Sequence, residues 1–213
     1  MNWHDLTFAA EIGAGVLLIA YHLRLLAHIR REPRRTVIGR NRDARGQWVR
    51  QVVDGHADLL AVQSLRNWAM SSTFLASTAI LIGLGIINFL ISHDAIGAFG
   101  VTLNTANPAP ITSVAGIKLL ALASVFFAAF FCFAQTLRAL NHLVFAIPVA
   151  DATTRADVTA LLNQGANYFT LGMRGFYLAL PLSLWLFGAP YFLLAAALLV
   201  LVLSRLDYVA AAA

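Results

Sequence analysis

Three arginines in this chain stand beside amides or glycines at the rims of apolar stretches. Arg66 has Gln63 and Asn67 as neighbours, Arg138 has Gln135 and Asn141, and Arg174 has Gly172 and Gly175. A guanidinium stays charged in a partly dry site, and its planar fork matches phosphate or carboxylate. Three of them in one place repel unless an anion balances them. Gln63, Arg66, Asn67, Gln135, Arg138 and Arg174 are therefore candidates for an anion-binding or headgroup-binding vestibule. The competing reading is that each arginine snorkels separately to lipid headgroups.

A second constellation is Glu11 with Lys118, two ionisable residues within apolar runs. Such groups are costly at membrane depth and call for a partner. They read either as an ion pair at an outer entrance or as two side chains snorkelling to the interface. His22, His28 and His142 fall on one side of the expected topology, and His22 and His142 are the lesser candidates for a metal or haem. No HxxxH or CxxC spacing supports such a site. Cys132, the one cysteine, reads as a buried apolar residue. No nucleophile elbow, P-loop, GxGxxG after a strand or paired carboxylates within a span is present, so neither enzymatic chemistry nor a cofactor is expected.

The elements that must position these residues are membrane helices. Hydrophobic residues make up 60% of the 213 and charged residues 12%, with a mean hydropathy of +0.74. Soluble domains average about 45–50% and about 25%. The expected fold is all-α, one domain over 1–213 with four transmembrane helices, at about 6–26, 68–91, 111–137 and 172–204. The third and fourth are long. A basic cytoplasmic segment, 27–67, separates the first two. The N-terminus has no positive leader and no small-residue cleavage site, so it reads as the first span.

The fourth stretch is the awkward one. Arg174 to Arg205 would extend about 46 Å as a straight helix, and Pro181 and Pro190 interrupt it. Splitting at "FGAP" leaves about 14 residues from Pro190 to Leu203, short of the roughly 20 that cross a bilayer. One kinked, tilted helix is expected, with a broken or re-entrant segment as the alternative.

Charge sets the expected orientation. Ten of the fifteen Lys and Arg residues lie between Arg24 and Arg66, and none lies in "SHDAIGAFGVTLNTANPAP". The positive-inside rule puts the first connection in the cytoplasm and both termini outside. Arg138, Arg155 and Arg174 then fall inside as well, making thirteen. The net charge of +5 thus points to a membrane surface and anionic headgroups, not to nucleic acid. Within the basic segment, "NRDARGQWVRQVV" predicts an amphipathic helix capped by Asn41 and lying in the headgroup layer. "TTRADV" predicts a capping box, Thr154 with Asp157, opening a short helix to about Asn163. Ser72, Ala76, Ala79 and Gly83 form a small-residue seam for close helix packing. The neighbouring hydroxyls read either as a pore lining or as groups bonded to their own backbone.

The stretches "YHLRLL", "PRRTVIGRNRDARGQWV", "LAVQSLRN", "MSSTFLASTAI", "QTLRALNHLVF" and "NQGANYFTLGMRGFYLALPLSLWLFGAP" carry a resemblance that covers most of the chain. The sequence resembles a plant and bacterial membrane family known as domain of unknown function number 599. The resemblance implies a multi-span helical protein with a basic loop, and it carries no activity, substrate or cofactor. The family-like positions are Arg45, Trp48, Gln63, Arg66, Asn67, Gln135, Arg138, His142, Asn163, Gly165, Gly172 and Arg174, all on the inner side of the expected topology.

Three functional readings follow. The first is an anion-leaning channel or small-solute transporter, homo-oligomeric, in a bacterial inner membrane. The second is a non-transporting accessory or assembly subunit, or a lipid-headgroup-binding module. The third is a metal or haem protein using the histidines.

Overall fold

The computed structural model describes residues 3–55, 58–92 and 112–208. The connection without Lys or Arg that follows Ser92, residues 56–57 and the outermost residues at both termini lie outside them. The described residues form six α-helices: α1 Trp3–Arg31, α2 Val37–Asp54, α3 Asp58–Ser92, α4 Thr112–Ala146, α5 Arg155–Trp185 and α6 Ala189–Asp207. A 3-10 turn, Pro33–Arg35, joins α1 to α2. Stretches within α1, α3, α4 and α6 are long and apolar enough to cross a bilayer. They suggest a multi-pass membrane protein, and α3 begins well before the expected Trp68. The long helices pack in the order α3, α4, α5, α6, α1.

The small-residue seam does what its spacing predicts. Ser72, Ala76, Ala79 and Gly83 are all buried, and a Cβ on Gly83 would sit 3.2 Å from the Phe127 ring of α4. Without a strong hydrophobic force between helices in lipid, close backbone approach supplies the packing. The seam hydroxyls bond their own helix: Ser72 Oγ donates to Trp68 O at 2.9 Å, and Thr73 and Thr78 donate likewise to the carbonyls four residues back. These bonds are the ones the close-packing reading calls for. On the other flank of α4, α5 comes in over Gly165, Gly172 and Gly175, where an added Cβ would meet Ala139, Phe133 and Ala129.

The fourth apolar stretch is not one kinked helix. It breaks at Leu186–Gly188, and α6 folds back along α5 as the second arm of a hairpin. Gly188 takes φ +137°, a conformation open to glycine and strained for other residues. Pro190 then sits in the first turn of α6, where its missing N–H costs nothing. The stretch after the break is long enough because α6 starts at Ala189 and runs past Leu203 to Asp207, 19 residues in all.

The hairpin changes the topology. Glu11 and Trp185 meet at one end of the bundle. At the other end, the His28 ring meets Tyr208 edge-on, and Thr36 forms an isolated bridge with Tyr208. Trp3 and Tyr208 therefore lie at opposite ends of the described bundle. The extra pass through the bundle is the reason. Arg205 moves to the basic end, where the thirteen inner cations of the sequence reading become fourteen, and Lys118 is left at the other end.

The basic segment is also rearranged. α2 starts at Val37, not after Asn41, and its cap is Thr36, whose hydroxyl accepts from Gly39 N at 3.2 Å. Its apolar face does not lie among headgroups. Val49, Val52 and Val53 are buried with Leu65, Leu140, Leu143, Ile147, Val158 and Leu162. α2 is thus a lid on the ends of α3, α4 and α5. Gly39 is required here, because a Cβ would run into the Pro33 carbonyl.

The start of α5 differs as well. Thr154 is its N-cap residue but makes no side-chain cap bond. Asp151 Oδ1 instead accepts from the backbone N–H groups and hydroxyls of Thr153 and Thr154, at 2.6–2.9 Å. Those bonds, the Thr153 hydroxyl foremost, hold the Asp151 carboxyl well below the usual carboxylate range. The helix that opens here runs through Asn163 to Trp185.

Candidate functional site

α4 and α5 lie side by side, and near the basic end they leave a polar groove of about 380 Å³ between them. α4 supplies Gln135, Arg138, Ala139 and His142. α5 supplies Leu161, Gln164 and Tyr168. Gln135, Arg138 and His142 step by three and four along α4, as Leu161, Gln164 and Tyr168 do along α5, so each set lies on one helical face. Arg138 and His142 are exposed and Gln135 is half-buried. No described carboxylate pairs with Arg138. The groove thus offers a guanidinium, two amides, an imidazole and a phenol with no acid lining it. Such a donor set suits a phosphate or carboxylate.

The structure divides the six vestibule residues. Gln135 and Arg138 share the groove. Gln63, Arg66 and Asn67 are exposed on α3 and do not line it. Arg174 belongs to a different site, in the α5–α6 hairpin, where its Nη2 donates to Asp207 Oδ1 at 2.7 Å. The two side chains are only 11% and 12% exposed. Tyr21 of α1 donates its hydroxyl to the other oxygen, Asp207 Oδ2, at 2.5 Å. The charge on Arg174 is therefore balanced from within the chain, and the convergence of three free arginines does not form.

Sequence reasoning missed Gln164 and Tyr168 in the groove, and Tyr21 and Asp207 in the triad. The i, i+4 spacing of Gln164 and Tyr168 was a usable signal. Asp207 could be found only by folding the fourth stretch back on itself, which brings it level with Arg174.

The Glu11–Lys118 pair does form, with Nζ to Oε1 at 3.0 Å. Trp185 completes it: its Nε1 donates to the same oxygen at 2.7 Å. Lys118 also donates to the Trp185 carbonyl at 3.2 Å and lies 4.9 Å from the centre of the indole ring. Phe192 stacks on the indole ring itself, at 5.1 Å between centroids. This cluster ties α1 and α4 to the hairpin turn. Glu11→Ala removes a charged acceptor from two donors and is expected to cost roughly 1.5–3 kcal/mol. Thermal unfolding in mild detergent would check this, and an unchanged midpoint would make the cluster incidental.

The histidines do not converge. His22 Nδ1 bonds Leu18 O at 2.7 Å, His28 Nδ1 bonds Arg24 O at 2.9 Å, and His142 lies in the groove. Among the described residues no group of three His, Cys, Asp or Glu side chains is placed to hold a metal. Arg45 of α2 is half-buried and donates through Nε to Asn163 Oδ1 at 2.8 Å. Burial and then the nearby Arg42 charge lower its pKa from the ordinary arginine value.

A family model described as "Protein of unknown function, DUF599" matches residues 12–212. Comparison with curated proteins and with solved structures gives no match.

Proposed function

The chain belongs to the DUF599 family, and we propose that it is a membrane protein that binds a phosphate-bearing headgroup in the α4–α5 groove at the cytoplasmic face. The observation that carries this reading is Arg138, a guanidinium set among amides and an imidazole with no acid in the lining. The concentration of basic residues at this end supports a cytoplasmic orientation and adds attraction for anionic lipid. A transport role for one copy has less support. The helix interface next to the groove is filled by Phe126, Ala129 and Phe133, all buried, which favours holding an anion over passing it.

The test compares two arginines. Purified protein is titrated with phosphatidylglycerol and with phosphatidylcholine, and binding is read by native mass spectrometry. Phosphatidylglycerol is expected to bind preferentially. Arg138→Gln is expected to weaken it roughly tenfold or more, the loss of a charged hydrogen bond at about 1.5–3 kcal/mol. Arg66→Gln, outside the groove, should change it little. Equal losses in the two variants would mean diffuse surface attraction and sink the assignment.

A further inference from the structure

The lining of the α4–α5 groove is ordered along the helix axes, and that order narrows the headgroup it holds. The two helices run antiparallel. Gly165 packs on Ala139, Gly172 on Phe133 and Gly175 on Ala129, and Thr136 donates its hydroxyl to the Gly165 carbonyl at 3.2 Å. This register brings Tyr168 level with Gln135, and Gln164 level with the turn from Arg138 to His142. Gln135 and Tyr168 thus lie nearest the apolar middle of the bundle. Arg138 follows about 4.5 Å further toward the basic end, and His142 about 6 Å beyond it, at about 1.5 Å per residue.

A lipid of that leaflet is ordered the same way: acyl esters, then phosphate, then headgroup alcohol. With the phosphate on Arg138, the ester carbonyls reach the Gln135 amide and the Tyr168 hydroxyl, both of which donate. The headgroup alcohol then lies against His142 and Gln164. Charge decides what that alcohol is. Among the described residues no carboxylate lines the groove, so the ammonium of choline or ethanolamine would stand beside Arg138 without a counter-charge, and like charges in contact are costly. A neutral imidazole and an amide each donate and accept. Hydroxyls match that pattern, whereas phosphate oxygens only accept. At about 380 Å³ the groove also falls within the roughly 300–1,000 Å³ of small-molecule sites, which leaves room beyond the phosphate. Resting on the headgroup assignment above, we propose that the groove selects a phosphatidyl-polyol, a lipid whose phosphodiester ends in an uncharged group bearing hydroxyls, and that His142 and Gln164 recognise those hydroxyls.

The test is native mass spectrometry of the purified full chain with phosphatidylglycerol and phosphatidylethanol. Both are phosphodiesters of equal charge, and only the first carries headgroup hydroxyls. Phosphatidylglycerol is expected to bind roughly fivefold more tightly or better, the worth of one to two neutral hydrogen bonds. His142→Leu/Gln164→Leu should erase that preference, and Gln164→Leu alone should reduce it. The wild-type comparison needs no variant to be decisive. Glycerophosphoglycerol, the same headgroup without acyl esters, is expected to displace the lipid only at roughly tenfold higher concentration or more. Displacement at equal concentration would overturn a lipid as the ligand. Equal binding of the two lipids by the wild type, or a preference that survives in the double variant, would overturn the polyol assignment. If both lipids then still depend on Arg138, the headgroup reading outlives that failure. Phosphatidylethanol bound no better than phosphatidylcholine, with no loss in Arg138→Gln, would sink both.

Discussion

Arg174→Gln is expected to unfold far more easily than the wild type. The substitution leaves Asp207 as a buried carboxylate whose remaining contacts are the Tyr21 hydroxyl and the amide introduced at position 174. Removing one member of a buried pair typically costs about 3–5 kcal/mol. For a chain of this size that is a fall of roughly 10 °C in the unfolding midpoint. Much of the cost belongs to the orphaned charge and not to the lost attraction. Arg174→Gln/Asp207→Asn should therefore be more stable than Arg174→Gln alone, although it carries one more substitution. A double-mutant cycle measures this directly, and a coupling energy near zero would show that the pair is not buried as described. The triad joins α1, α5 and α6, so the single variant should also loosen the C-terminal end of α6, read as faster amide exchange near Asp207.

The second large effect is expected at Gly172. Helix propensity alone favours replacing a mid-helix glycine, by up to about 1 kcal/mol for alanine. Packing reverses that sign. A Cβ at position 172 would stand 2.8 Å from the Phe133 ring. Phe133 is 0% exposed, and Phe169 and Phe176 lie 5.6 and 5.9 Å from it between centroids. The ring has nowhere to retreat. Gly172→Val is expected to lose about 1–3 kcal/mol by overpacking, while Gly13→Ala, where nothing lies within 4 Å, should be neutral or slightly stabilising. Gly172→Val/Phe133→Leu should recover part of the loss. Equal stability of Gly172→Val and wild type in thermal unfolding would mean that α4 and α5 do not approach this closely.

What could be read from the sequence by itself was whatever depends on one helix at a time or on composition. Apolar run length marked the helices, because the bilayer fixes how many residues a span needs. The spacing of Ser72, Ala76, Ala79 and Gly83 identified a packing face, because helical periodicity puts those positions in one line. Glu11 and Lys118 were legible as partners because a charge in an apolar run has few alternatives. What the sequence left undecided depended on how helices pair. The glycine at position 188 was visible, but a +137° φ is a choice made by the packing of α6 against α1 and α5, and local rules allowed a kink equally well. That one turn decided that Arg174 faces Asp207 instead of an anion, and that Trp3 and Tyr208 lie at opposite ends of the bundle. The valines of α2 followed the same logic. An amphipathic face needs an apolar partner, and lipid headgroups and a helix bundle both provide one. Only the tertiary fold brings Leu140, Leu143 and Leu162 beneath Val49 and Val52, so only there is the choice made.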